Sequence, residues 1–175
     1  MTRFVTHSLR HRPGLLAALS TCIAGLLVAC GAPADTNSPR AVAERVAAAL
    51  DRGDAGAFLA MLPADGDLER TFDCGRGDNL RAAVQRRRED APAEFAARRQ
   101  AGHRVRLVQF DQPGTQTVEL LPGDVFHGCT VRQAVKVHRS RVELSLSKSG
   151  RMDLDQETWV FLRFTPDGPW NFARF

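Results

Sequence analysis

The sequence predicts an α+β domain in which helices come first and an antiparallel sheet follows. Three observations carry that prediction. Between residues 38 and 100, apolar residues recur three or four positions apart, the period of an amphipathic helix. From His103 onward the period drops to two, the mark of strands with unlike faces. Turn-forming Pro, Gly and Asp separate the alternating runs, and helices followed by consecutive strands make an α+β layout.

The N-terminus reads as a separate element. Residues 1–12, MTRFVTHSLRHR, carry Arg3, Arg10 and Arg12 and no acid, and residues 15–29 are then largely apolar. A basic segment followed by an apolar one has the pattern of an export signal. The run is short for a membrane span, which needs about 20 apolar residues. It ends in Leu27-Val28-Ala29-Cys30, which resembles the bacterial lipobox.

That resemblance implies a lipoprotein signal peptide at 1–29, cleaved after Ala29. It also implies a thioether-linked diacylglycerol on Cys30, an acylated new amine, and a lipidated tether at 30–37. Each buried methylene adds about 0.8 kcal/mol of membrane affinity, so two or three chains anchor stably. Residues 31–37 span roughly 25 Å when extended. The domain at 38–175 is therefore expected at the surface of the cell membrane or outer membrane, facing the periplasm or the exterior.

Charge gives no support to a nucleic-acid reading. The chain holds 24 Lys+Arg and 20 Asp+Glu, and loss of Arg3, Arg10 and Arg12 with the signal leaves 21 against 20. A nucleic-acid binder needs a clustered basic footprint.

The helices follow in order. Ser38 can cap a helix that begins at Pro39, with Val42, Val46 and Leu50 on one face and Gly53 closing it. Asp54 can cap a second helix over 55–62. Residues 64–78 are expected to be loop, with a short strand at 68–72. A third helix is expected from Asp78 or Asn79 to about Gln100, with Pro92 kinking or splitting it. Gly102 ends it.

The strands follow in HRVRLVQF, with Val105, Leu107 and Gln109 on one face, and in TQTVELL after a Pro113-Gly114 turn. CTVRQAVKVH is expected to bring Val131, Val135 and Val137 together. RVELSLS alternates Val142, Leu144 and Leu146 with polar residues, and ETWVFLRF and WNFARF close the chain around Pro166-Asp167-Gly168-Pro169. Trp159 and Phe161 fall on one face and Phe164 on the other. Both faces then need covering, by helices on one side and a pocket, a homodimer partner or an envelope protein on the other.

This order, with its ending TPDGPWNFARF, resembles the nuclear-transport-factor-2-like (cystatin-like) superfamily. The resemblance implies a curved sheet cupped around a helix, with a pocket in the concavity. Enzymes, binding modules and dimerisation domains share that fold, so it fixes no activity.

Of the four cysteines, Cys22 is lost with the signal and Cys30 is assigned to lipid, so Cys74 and Cys129 remain as a pair in an oxidising compartment, and a disulfide between them is expected. A free thiol, or a metal site joining both sulfurs to His127, is the competing reading. His103 and His138 are expected on solvated faces. Ketosteroid-isomerase-like chemistry would need a carboxylate base and a phenol or acid donor. The chain has no tyrosine, which leaves Asp73, Asp111 and His127 as the acid–base candidates. No G-x-S-x-G elbow is present, and the GRGD at 75–78 lacks the lysine of a phosphate-binding loop. Arg86-Arg87-Arg88 reads as a solvated helix face or a contact for anionic head groups.

The leading expectation is a non-catalytic, membrane-anchored interaction or assembly module with no catalytic residues, cofactor or metal. A binding module for a small apolar ligand, or an isomerase or dehydratase, is the alternative.

Overall fold

The computed structural model describes residues 37–111, 116–148 and 150–173. Leu27, Val28, Ala29, Cys30, the tether up to residue 36, the Pro113-Gly114 turn and Phe175 lie outside the described residues. Asn37, expected in the tether, belongs to the fold: its Nδ2 donates to Gly168 O at 3.1 Å, and its Oδ1 accepts from Trp170 N at 3.2 Å.

Helix α1 spans Pro39–Arg52, begun by Ser38, whose hydroxyl accepts from Ala41 N at 3.2 Å. Gly53 closes it in the left-handed region (φ 65°). A Cβ there would lie 3.0 Å from Arg99 Cβ, so glycine serves both the backbone and a close helix approach. Helix α2 is Ala55–Leu59, capped by Asp54 as expected but shorter. Its final turn tightens to i−3 bonds, Met61 N to Phe58 O and Leu62 N to Leu59 O, before Pro63, and Met61 O is left to accept from Phe172 N at 2.7 Å.

The expected strand at 68–72 is instead helix α3, Asp65–Thr71, with strand β1, Phe72–Cys74, directly after it. Asp65 and Asp67 in the first turn and Arg70 in the last suit the helix dipole. Leu68 and Thr71, three apart, bury one face. Helix α4 runs unbroken over Leu80–Gln100 with Pro92 inside it. Pro92 lies on the exposed side, while Ala91 and Phe95 hold adjoining turns against the core.

The main sheet is antiparallel and curled into a half-barrel. It contains β2 (Arg104–Gln109), β3 (Gln116–Leu120), β6 (Val135–Lys148), β7 (Arg151–Arg163) and β8 (Asn171–Phe172). β3 pairs with the first part of β6 and β2 with the later part, while β7 pairs with β6 along its whole length. A small sheet joins β1 to β5 (Cys129–Val131) and β5 to β4 (Val125–Phe126).

Three strand expectations are corrected. CTV and VKVH fall in different sheets, because Arg132 N and Gln133 N turn back to Thr71 O, yet Val131, Val135 and Val137 still pack together in one core, as expected. A register shift between Leu107 and Gln109 leaves Gln109 exposed and buries Phe110 in its place. β7 begins at Arg151, well before Glu157, because it continues straight out of a hairpin with β6.

The alternation at the end of the chain holds. Trp159 and Phe161 pack with Val42, Val46, Phe58 and Phe95 from the helices. Val160 and Leu162 face the other way, where Phe164 also packs, against Leu68, Phe72, Val84, Phe126 and Val131. That second face is covered by the small sheet, α3 and the start of α4, so the chain itself supplies a cover there. Among the described residues, no helix is long and apolar enough to cross a membrane.

Candidate functional site

The concave side of the sheet holds a cavity of about 60 Å³ under α1 and α4. Its floor is aromatic, with Phe58, Phe95, Trp159 and Phe172. The rings of Phe58 and Phe95 lie 5.0 Å apart, and those of Trp159 and Phe172 lie 5.1 Å apart. Alternation along β7 places Asp155 and Glu157 on the face of Trp159, at the cavity mouth. Helical spacing on α4 places Glu94 and Arg98 together, with Arg87 beside them. Glu94 is shared by Arg87 at 2.9 Å and Arg98 at 3.0 Å, and Trp159 Nε1 donates to Glu157 Oε2 at 2.6 Å. A ligand pocket usually offers about 300–1,000 Å³. This one holds roughly the volume of two liquid waters.

A second cluster sits where β2 ends against β3 and β6. His138 is 7% exposed, walled by Phe110, Phe161 and Trp170. Its Nε2 lies 3.3 Å from Asp111 Oδ1 and its Nδ1 lies 2.6 Å from Thr117 Oγ1. Asp111, acting as a carboxylate, can only accept, which assigns the proton to Nε2 and makes Nδ1 the acceptor for the Thr117 hydroxyl. Ser140 Oγ donates to Asp111 Oδ1 at 3.2 Å and accepts from Asp111 N at 3.0 Å. Burial lowers the His138 pKa below its ordinary value, with the Asp111 charge and hydrogen bond opposing that shift. Asp111 itself adopts a positive φ of 59°, which aspartate tolerates better than most residues. The cluster ties β6 to β3 and to the end of β2 through a neutral, enclosed imidazole.

No protein-family model, curated protein or solved structure matches this chain.

The site residues expected from sequence therefore stand on geometry alone. Cys74 and Cys129 are disulfide-bonded, directly opposite each other on β1 and β5. The bond removes both sulfurs from the proposed metal set with His127, and among the described residues no three His, Cys, Asp or Glu side chains converge.

The acid–base trio is not assembled. Asp111 meets His138 and Ser140, while Asp73 pairs with Arg132 at 3.0 Å near the surface. His127 lies exposed on the small sheet, edge-on to Phe126, beside Asp78, Asn79 and Arg86. Partial burial lowers its pKa first, and the Arg139 charge lowers it further.

His138 was expected in solvent and is instead buried. Alternation placed it correctly, opposite Val135 and Val137, but both faces of β6 are covered at this point. His103 is half-buried at the start of β2. Arg86, Arg87 and Arg88 pair with Asp78, Glu94 and Asp65 respectively, so their charges are already matched within the domain.

Proposed function

We propose that this chain is a lipid-anchored envelope protein whose domain is a non-catalytic interaction or assembly module of nuclear-transport-factor-2-like form. The observation that carries the reading is the Cys74–Cys129 disulfide. Disulfides persist in exported proteins, and this bond uses both cysteines that remain once Cys22 leaves with the signal and Cys30 is assigned to lipid. It agrees with the export signal through an independent part of the chain. The dispersed Asp73, Asp111 and His127 support a non-catalytic role. The 60 Å³ cavity supports an interaction surface over a small-ligand pocket, since an apolar ligand would have to open the space first. The half-barrel enclosing helices supports the superfamily resemblance.

The test is fatty-acid labelling of cells expressing the full chain, followed by membrane fractionation. The wild type is expected to carry label and sediment with membranes, and Cys30→Ala to lose both. Equal labelling of the two chains, or an unlabelled wild type, would overturn the anchoring.

A further inference from the structure

Strand β7 has two unlike halves. Near its C-terminal end it lies between β6 and β8, with Phe161 opposite Phe172 and Leu162 opposite Asn171. Before that, residues 151–158 pair with β6 alone, and among the described residues no strand pairs with their other edge.

The register with β6 runs without a shift from Lys136↔Arg163 to Lys148↔Arg151. In an antiparallel pair, successive residues turn their N–H and C=O groups alternately toward and away from the neighbour. Val160 O accepts from Ala173 N at 2.8 Å, on the side away from β6. The same alternation turns the N–H and C=O of Met152, Leu154, Gln156 and Thr158 outward, and all four residues are exposed. An open row of this kind is a template for another strand.

The side chains determine which strand fits. Arg151, Asp153, Asp155 and Glu157 share the concave face. Asp153 pairs with Arg151 at 3.2 Å and Glu157 accepts from Trp159 Nε1, so three carboxylates stand against one guanidinium and the line stays acidic. Met152 and Leu154 share the other face, 69% and 63% exposed. A second copy is a poor occupant. Two-fold pairing centred on residues 153–155 sets Asp153 against Asp153, Asp155 or Glu157. Centring on 153 or 154 also sets Arg151 against Asp155 or Glu157, but every register keeps carboxylates directly opposite, which destabilises a sheet. An incoming strand with basic residues opposite the carboxylates and apolar residues opposite Met152 and Leu154 meets complementary groups on both faces.

We propose that the free edge of β7, residues 152–158, takes an extended segment of a partner protein in which basic and apolar residues alternate. It would add that segment as a further strand of the main sheet. This rests on the interaction-module reading and names its surface. Backbone bonds supply pairing, the Asp153–Asp155–Glu157 line selects charge, and Met152 and Leu154 bury the apolar side.

The probe is a labelled peptide of alternating lysine and valine, with a glutamate–valine peptide as control, titrated onto the full chain in detergent micelles. The lysine peptide is expected to bind at least about tenfold more tightly than the control, and less tightly as salt rises. It should slow amide hydrogen exchange at residues 152–158. Leu154→Pro should cut binding about tenfold or more, because it removes an outward N–H while leaving the β6 ladder its bonds. Asp153→Lys with Asp155→Lys should reverse the peptide preference, and it keeps the test decisive if the proline variant misfolds.

Failure of the lysine peptide to bind, equal binding by the charge-reversed variant, or protection elsewhere in the domain would overturn the inference. Fatty-acid labelling of the same preparations reads the anchoring separately. A labelled chain with an unprotected edge overturns this inference alone, and an unlabelled chain overturns the anchoring alone.

Discussion

His138 Nε2 and Asp111 Oδ1 lie 3.3 Å apart inside a wall of Phe110, Phe161 and Trp170. The imidazole is neutral there because burial outweighs the carboxylate's pull. The pair joins the irregular end of β2 to the first part of β6.

Stability should fall on acidification. His138 and His127 both have folded pKa values below 6.5. In the window just below 6.5 the unfolded chain binds protons that the folded chain does not, so unfolding gains from added protons. The contribution is fully present above 6.5 and is lost as the pH falls through the folded values. Urea midpoints at about pH 8 and about pH 5.5 should therefore differ, with the lower pH less stable. His138→Phe should flatten that slope, and an unchanged slope would mean that other groups carry it.

Ser140 is fully buried and both gives and accepts a bond with Asp111. Ser140→Ala leaves those groups with one partner fewer and should cost about 1–3 kcal/mol. Equilibrium urea unfolding of the variant at neutral pH reads that loss directly.

The Cys74–Cys129 bond closes a sequence separation of 55 residues and pins the small sheet over Val160 and Leu162. Replacing both cysteines with serine should cost up to about 4 kcal/mol in the chain-entropy view. The loss should concentrate in early exchange of amides in β1 and β5. Uniform exchange throughout the domain would show that the small sheet does not open separately.

Gly53→Ala should destabilise the domain by about 1–2 kcal/mol, because the left-handed backbone disfavours any Cβ. The added carbon would also meet Arg99 Cβ at 3.0 Å. Thermal unfolding compared with Gly75→Ala is the control, since Gly75 has nothing within 4 Å of that position.

Legibility followed the kind of signal each segment carries. The caps at Ser38 and Asp54 and the left-handed stop at Gly53 were readable because one residue type meets one backbone need. The two-faced strand around Trp159–Phe161 was readable because period two is unambiguous in apolar residues. Helix α3 was not, because Ala64 offers no side-chain cap and only Leu68 marks its buried face. The first half of β7 was hidden because its exposed edge alternates acids with Met152 and Leu154, a pattern that also fits a loop. For the candidate sites, the cysteine pair was legible by elimination. The His138–Asp111–Ser140 cluster was not: it depends on a register shift after Leu107 that brings Asp111 back to β6, and no local sequence rule reports that.

The proposed protein is an exported domain held by lipid at Cys30 and closed by the Cys74–Cys129 bond. Intact mass spectrometry of the chain purified from membranes, without reductant, tests it most directly. The expected species is a polypeptide lacking residues 1–29, carrying diacylglycerol and an amide-linked acyl chain on Cys30, with no thiol open to alkylation. A chain with unmodified Cys30, or with Cys74 and Cys129 alkylated before reduction, would contradict it.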